Sequence, residues 1–217
     1  IEVTQEPSLS STALGLRCDR PPFNDPRVRG AIDLALDRDT LIRDVAFGDA
    51  RILGPVNPEL SGGFWSLSDD DLHEASGVSS PVDARREEAS RLLEAAGASN
   101  ATFALQVADT PASIVLANAV RDLLVKVGIT ARIEPLDLLS WFTNFRGGRF
   151  EATLITHLPY ESPDIPLRFY HSQGPDATGS PFGCADPAID PLVERSWGEG
   201  NREARQQPVE RVGDLDE

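Results

Sequence analysis

Three histidines, two cysteines and a run of aspartates are the side chains of this 217-residue chain best equipped for catalysis or metal binding. His73, His157 and His171 are separated by far more than one helical turn, so no pair has the i, i+4 spacing of a helical metal site. Cys18 and Cys184 are far apart and outside any Cys-x-x-Cys spacing. They suit a disulfide in an extracytoplasmic protein or two separate thiols, and spacing leaves both open. Nucleophilic hydrolysis needs Ser or Cys in contact with His and a carboxylate, yet the chain has neither a nucleophile elbow nor a papain-like cysteine context. Asp69, Asp70 and Asp71 lack the Gly and Glu of a calcium loop and read as a solvated loop. Gly62-Gly63 and Gly147-Gly148 do not join a strand to a helix as a phosphate loop does. The expectation is a chain without catalytic residues, metal ligands or cofactor.

The elements that would position such a site alternate regularly. Residues 21–42, PPFNDPRVRGAIDLALDRDTLI, predict a turn, a capped helix, a break and a second helix start. Asn24 or Asp25 suits the N-cap and Pro26 the first turn. Val28, Ala31, Ile32, Ala35 and Leu36 form one apolar stripe, with Arg29 and Asp33 a turn apart on the polar side. Asp39 or Thr40 can cap the second helix, and Gly48 can end it. Residues 54–82 read as a long irregular loop.

Beyond that loop, Asp83 is the expected cap of a helix closed by Gly97. A strand follows at Phe103, Leu105 and Val107, then a helix over 111–126 ended by Gly128. Ile129, Ala131 and Ile133 mark a strand, Asp137 caps a helix over LLSWFTNF, and Phe150, Ala152 and Leu154 mark another strand. Helices are expected near 164–171 and 187–198, and an antiparallel edge strand over 12–18. This order predicts an α/β fold, a mixed sheet flanked by helices.

The formal charge is −15, with 35 acidic and 20 basic residues, Lys126 being the single lysine. Such a surface repels phosphate backbones, which argues against nucleic-acid binding. No apolar run approaches the length of a membrane helix. The first residues have neither the basic start nor the apolar run of a signal peptide, and methionine is absent throughout. The expectation is a processed protein or an excised piece, with both ends resembling cuts through a longer one.

The 21–42 segment closely resembles a "PF-D-RVR-A---A-DR--I" signature of solute-binding proteins of ABC importers, in the family that captures peptides, dipeptides, nickel chelates and some sugars. Pro22, Phe23, Asp25, Arg27, Val28, Arg29, Ala31, Ala35, Asp37 and Arg38 match it. ARREEASRLLEAAG, LLVKVGITARIEPLD, GGRFEATLITHLPYESPD and HSQGPDATGSPFGCADPAIDPLVERS resemble later blocks of the same family, in the same order, so the resemblance covers residues 12–205.

The resemblance implies that 1–217 is a single α/β lobe of a periplasmic-binding-protein type II-like fold. It would be the second lobe of a two-lobed protein and would lack the first. It implies an extracytoplasmic solute-binding component, lipid-anchored at full length, with a peptide-like or small polar ligand, a membrane permease and its own first lobe as partners. A ligand-sensing domain of a transcription regulator with the same fold is the alternative. The implied ligand-binding residues are Trp141, His157, Tyr160, Glu161 and Asp164. The acidic residue that holds a peptide's amino terminus in relatives falls here at Pro159 or Tyr160. Glu161 or Asp164 would have to replace it, or the ligand has no free amine.

Overall fold

A computed structural model describes residues 10–53, 65, 80–157, 162–174, 179–201 and 203–204. Along the chain run β1 (Ser11–Leu16), α1 (Pro26–Ala35), α2 (Arg38–Asp44), α3 (Val82–Ala95), β2 (Thr102–Ala108) and α4 (Pro111–Leu124). They are followed by β3 (Thr130–Leu136), α5 (Leu138–Arg146), β4 (Ala152–His157), α6 (Asp164–Leu167) and α7 (Ile189–Gly198). The four strands make one mixed sheet in the order β1-β4-β2-β3. β2 runs parallel to β3 and β4, and β1 pairs antiparallel with β4, placing Ser11 opposite His157 and Leu16 opposite Ala152. The α/β architecture and the antiparallel edge strand are those the sequence predicts.

Local chemistry explains where the elements begin. The Asp25 carboxylate accepts from the Arg27 amide at 2.9 Å, and Pro26 is the first helical residue of α1. α2 starts two residues earlier than expected: Asp37, not Asp39 or Thr40, is its cap and accepts from the Thr40 amide and hydroxyl. α3 starts at Val82, after Pro81, so Asp83 lies in the first turn and bonds Arg86 instead of capping. Arg29 donates to the Phe23 carbonyl at 2.9 Å, while Asp33, one turn away, pairs with Arg38.

α4, capped by Thr110, tightens into a 3-10 turn at Val125–Val127. Gly128 then reverses the chain at φ 89°, where a Cβ would press on the Ser99 carbonyl. The helix expected over 164–171 is a single turn. Beyond it the amides of Arg168, Phe169 and Tyr170 bond three residues back, which winds the chain too tightly for an α-helix. β4 begins at Ala152 because Phe150 turns into an aromatic cluster.

The period-2 alternation of the strands feeds two cores. Phe103, Leu105 and Val107 of β2 and Ala152 and Leu154 of β4 join Val28, Ile32, Leu93, Val120 and Leu124 from α1, α3 and α4. Phe23 closes that core edge-on against Phe103, with centroids 4.9 Å apart. Ile155 of β4 joins Phe145, Phe150 and Phe182 in a second cluster against which Trp141, Phe169 and Cys184 pack. Trp65 packs with Leu167, Ile189, Leu192 and Val193.

Candidate solute-binding edge

The three parallel strands end together, at Ala108, Leu136 and His157. In open α/β sheets ligands lie beyond this carboxyl edge. Two candidate residues come from elements that start or stop there. β3 passes through Asp137, which caps α5 by accepting from the Ser140 amide at 3.0 Å, and Trp141 follows within the first turn. His157 is the last residue of β4.

An unbroken series of ring contacts joins the two. Trp141 stacks on Phe145 with centroids 5.8 Å apart, Phe145 lies 6.0 Å from Phe169, and Phe169 meets the His157 ring edge-on at 5.5 Å. The Trp141 indole N–H donates to the Thr153 hydroxyl at 2.9 Å. Asp164, in the first turn of α6, accepts from the Ser162 hydroxyl at 2.7 Å. Pro159, Tyr160 and Glu161 lie outside the described residues. Thr153 and Phe169 were not anticipated as members of this region. The signal for Thr153 was the strand period, which puts residues 153, 155 and 157 on one face.

Burial pushes the His157 imidazole below its ordinary pKa, so it is neutral at pH 7. The unfolded chain therefore binds the proton more readily than the folded one. His157 contributes stability that is complete above the unfolded pKa of about 6.5 and is lost as pH falls through the folded value. Melting profiles from pH 8 to 5 should show wild type losing stability below about pH 6.5 more steeply than His157→Gln. Identical profiles would contradict this assignment.

A cavity of about 380 Å³ lies at the opposite edge, lined by Arg17, Arg146, Gly148, Ser180 and Cys184 among others. Its polar groups are already engaged. Arg17 donates to Asp19 at 2.9 Å and to the Pro181 carbonyl at 2.7 Å, and Ser180 donates to the Phe169 carbonyl. With no carboxyl end of a parallel strand and an arginine already paired to Asp19, it is the weaker candidate despite its size. The Cys18 amide donates to the Phe182 carbonyl at 2.7 Å, and the two thiols donate to backbone carbonyls, Cys18 to Leu16 and Cys184 to Phe182. Among the described residues no group of three His, Cys, Asp or Glu side chains is placed to hold a metal, and no helix is long and apolar enough to cross a membrane.

The mixed sheet with its flanking helices is a fold of the periplasmic-binding-protein type. Residues 1–177 match the model of bacterial extracellular solute-binding proteins, family 5 (middle region), and the chain belongs to that family. It is similar to the peptide transport periplasmic protein SapA of Salmonella typhimurium, 23% identical over 142 residues, which are 63% of this chain and 24% of that one. Among solved structures it resembles the Escherichia coli murein tripeptide binding protein MppA (TM-score 0.81, 17% identity, 96% of this chain and 40% of that one). It also resembles Haemophilus influenzae OppA in complex with RPPGFSPFR (TM-score 0.76, 20% identity, 96% and 40%). A third is Campylobacter jejuni NikZ in complex with Ni(L-His) (TM-score 0.75, 19% identity, 96% and 43%). At these identities the structures show the shared fold. The chain spans about 40% of the length of the solved relatives and 24% of the curated one. These matches give no support to the transcription-regulator alternative.

Proposed function

We propose that this chain is one lobe of a two-lobed solute-binding protein, which captures a peptide-like or other small polar solute outside the cytoplasm and presents it to the permease of an ABC importer. The observation that carries this reading is the carboxyl edge itself. Trp141 and His157 are brought there from separate elements and joined through one aromatic cluster, in a chain of this family. Aromatic walls give contact area without fixed hydrogen-bond demands, which suits a site that accepts solutes of varied side chain. Tyr160, Glu161 and Asp164 would supply the polar contacts, with Glu161 or Asp164 pairing a solute amine. The names of MppA and SapA, a tripeptide binder and a peptide transport protein, favour peptides over metal chelates.

Leu138 and Leu139, at the start of α5, are 67% and 75% exposed, which fits a face turned toward the first lobe. Solute would favour the closed arrangement of the lobes, and no bond is made or broken. The full-length protein would be held at the membrane by a lipid anchor. Calorimetry with trialanine as probe tests the two-lobe reading. The full-length protein should bind at micromolar levels and the isolated 217-residue chain at least about 100-fold more weakly, because a cleft wall alone buries only part of a ligand. Equal micromolar binding by the isolated chain would overturn it.

A further inference from the structure

The Trp141 indole is held from two directions. Its N–H donates to Thr153 Oγ1 at 2.9 Å, and the Thr153 hydroxyl donates onward to the Gln106 carbonyl at 2.9 Å, a shorter approach than the 3.4 Å to the Leu154 carbonyl. Thr153 is 1% exposed and pairs with Gln106 between β4 and β2, at the centre of the sheet. A buried hydroxyl that both accepts and donates has one settled orientation, and it fixes the group bonded to it. The indole has a single donor, and this contact uses it.

The second direction is along α5. Phe145 lies one turn C-terminal to Trp141 and stacks on it with 7° between the ring planes. The Phe145 ring lies against one side of the indole. Trp141 is half-buried, so part of its ring stays open.

We propose that Thr153 is a positioning residue that determines specificity. By consuming the indole donor from beneath, it makes Trp141 meet the solute with an apolar ring face and no hydrogen-bond donor. The solute group selected at that position is an aromatic or aliphatic side chain in preference to a small or polar one. This inference rests on the reading of the carboxyl edge as the solute site.

The test uses Thr153→Val, which keeps the shape and removes the hydroxyl, and Thr153→Ser, which restores it. Trp141→Phe, which keeps a ring but has no N–H, is the second background. The first readout is hydrogen exchange at the Trp141 indole N–H by NMR. It should be at least about tenfold faster in Thr153→Val and unchanged in Thr153→Ser. The second readout is calorimetry on the full-length protein with triphenylalanine and trialanine. Thr153→Val should cut the preference for triphenylalanine about tenfold, Thr153→Ser should keep it, and Thr153→Val should have no further effect in the Trp141→Phe background. Unchanged indole exchange in Thr153→Val, or an unchanged preference when wild type binds both peptides, would overturn the proposal. So would an effect that persists in Trp141→Phe. If wild type binds neither peptide, the peptide reading fails, and the exchange measurement alone decides whether Thr153 positions Trp141.

Discussion

Phe145→Ala is expected to lower the unfolding free energy by about 4 kcal/mol, the usual range for deleting a buried phenylalanine being about 3–5 kcal/mol. Phe145 is 5% exposed and is the ring through which the second core is joined. Trp141, Phe150, Phe169 and Phe182 all lie between 5.8 and 6.1 Å from it. Truncation opens a cavity beneath α5 and removes four ring contacts at once, each adding about 0.5–1.5 kcal/mol beyond area burial. Domains are stable by about 5–15 kcal/mol in total, so the loss is a large share. The damage also reaches the site, because Phe145 supports Trp141 directly and His157 through Phe169. Urea unfolding followed by circular dichroism measures the effect, and Phe145→Leu should cost about half as much. A loss under about 1 kcal/mol would show that the aromatic cluster does not hold α5 to the sheet.

Asp37→Ala is expected to cost about 3 kcal/mol, by a different mechanism. The Asp37 carboxylate has two roles, capping α2 through the Thr40 amide and hydroxyl and facing Arg85 at 3.6 Å and Arg86 at 4.0 Å. Arg85 is 4% exposed, and its Nε has no hydrogen-bond partner among the described residues. Removing the carboxylate leaves a buried guanidinium without its counter-charge and α2 without its cap. Breaking such a pair costs about 3–5 kcal/mol, and the 3.6 Å separation argues for the lower end. Desolvation by burial raises the Asp37 pKa, but the Thr40 bonds and the two arginines outweigh it, so the net direction is down. The group therefore stabilises above its unfolded pKa of about 3.9, and that contribution disappears as pH falls through the folded value. Replacing Arg85 by Leu in the Asp37→Ala background should recover part of the loss, because no unpaired charge then remains buried. If the double variant is less stable than the single one, the cost comes from packing and not from charge.

The helices were legible wherever a short-range rule decided them. Asp25, one of the two residues suited to cap α1, does so, Asp137 caps α5 as expected, and Pro26 stands at the first helical position. The alternation of Phe103, Leu105 and Val107 does face one core. What stayed hidden depends on residues distant in sequence. Asp37 outcompetes Asp39 as a cap because Arg85 and Arg86, far along the chain, also need a carboxylate there. The Glu151 carboxylate accepts from the Ala104 amide at 2.6 Å, extending the contact of β2 with β4 beyond their two ladder pairs, and no local pattern announces it. At the candidate site, Trp141 and His157 were found through family resemblance. Their common cluster through Phe145 and Phe169 emerged only once the sheet order placed β4 beside β2 and set α5 over it.

The most direct measurement of the central claim is a crystal structure of the full-length protein with bound peptide. Peptide atoms are expected within about 4 Å of both Trp141 and His157, at the carboxyl edge of β3 and β4, enclosed by the other lobe. A peptide seated in the cavity beside Arg17, or held entirely by the other lobe without touching Trp141 or His157, would contradict it.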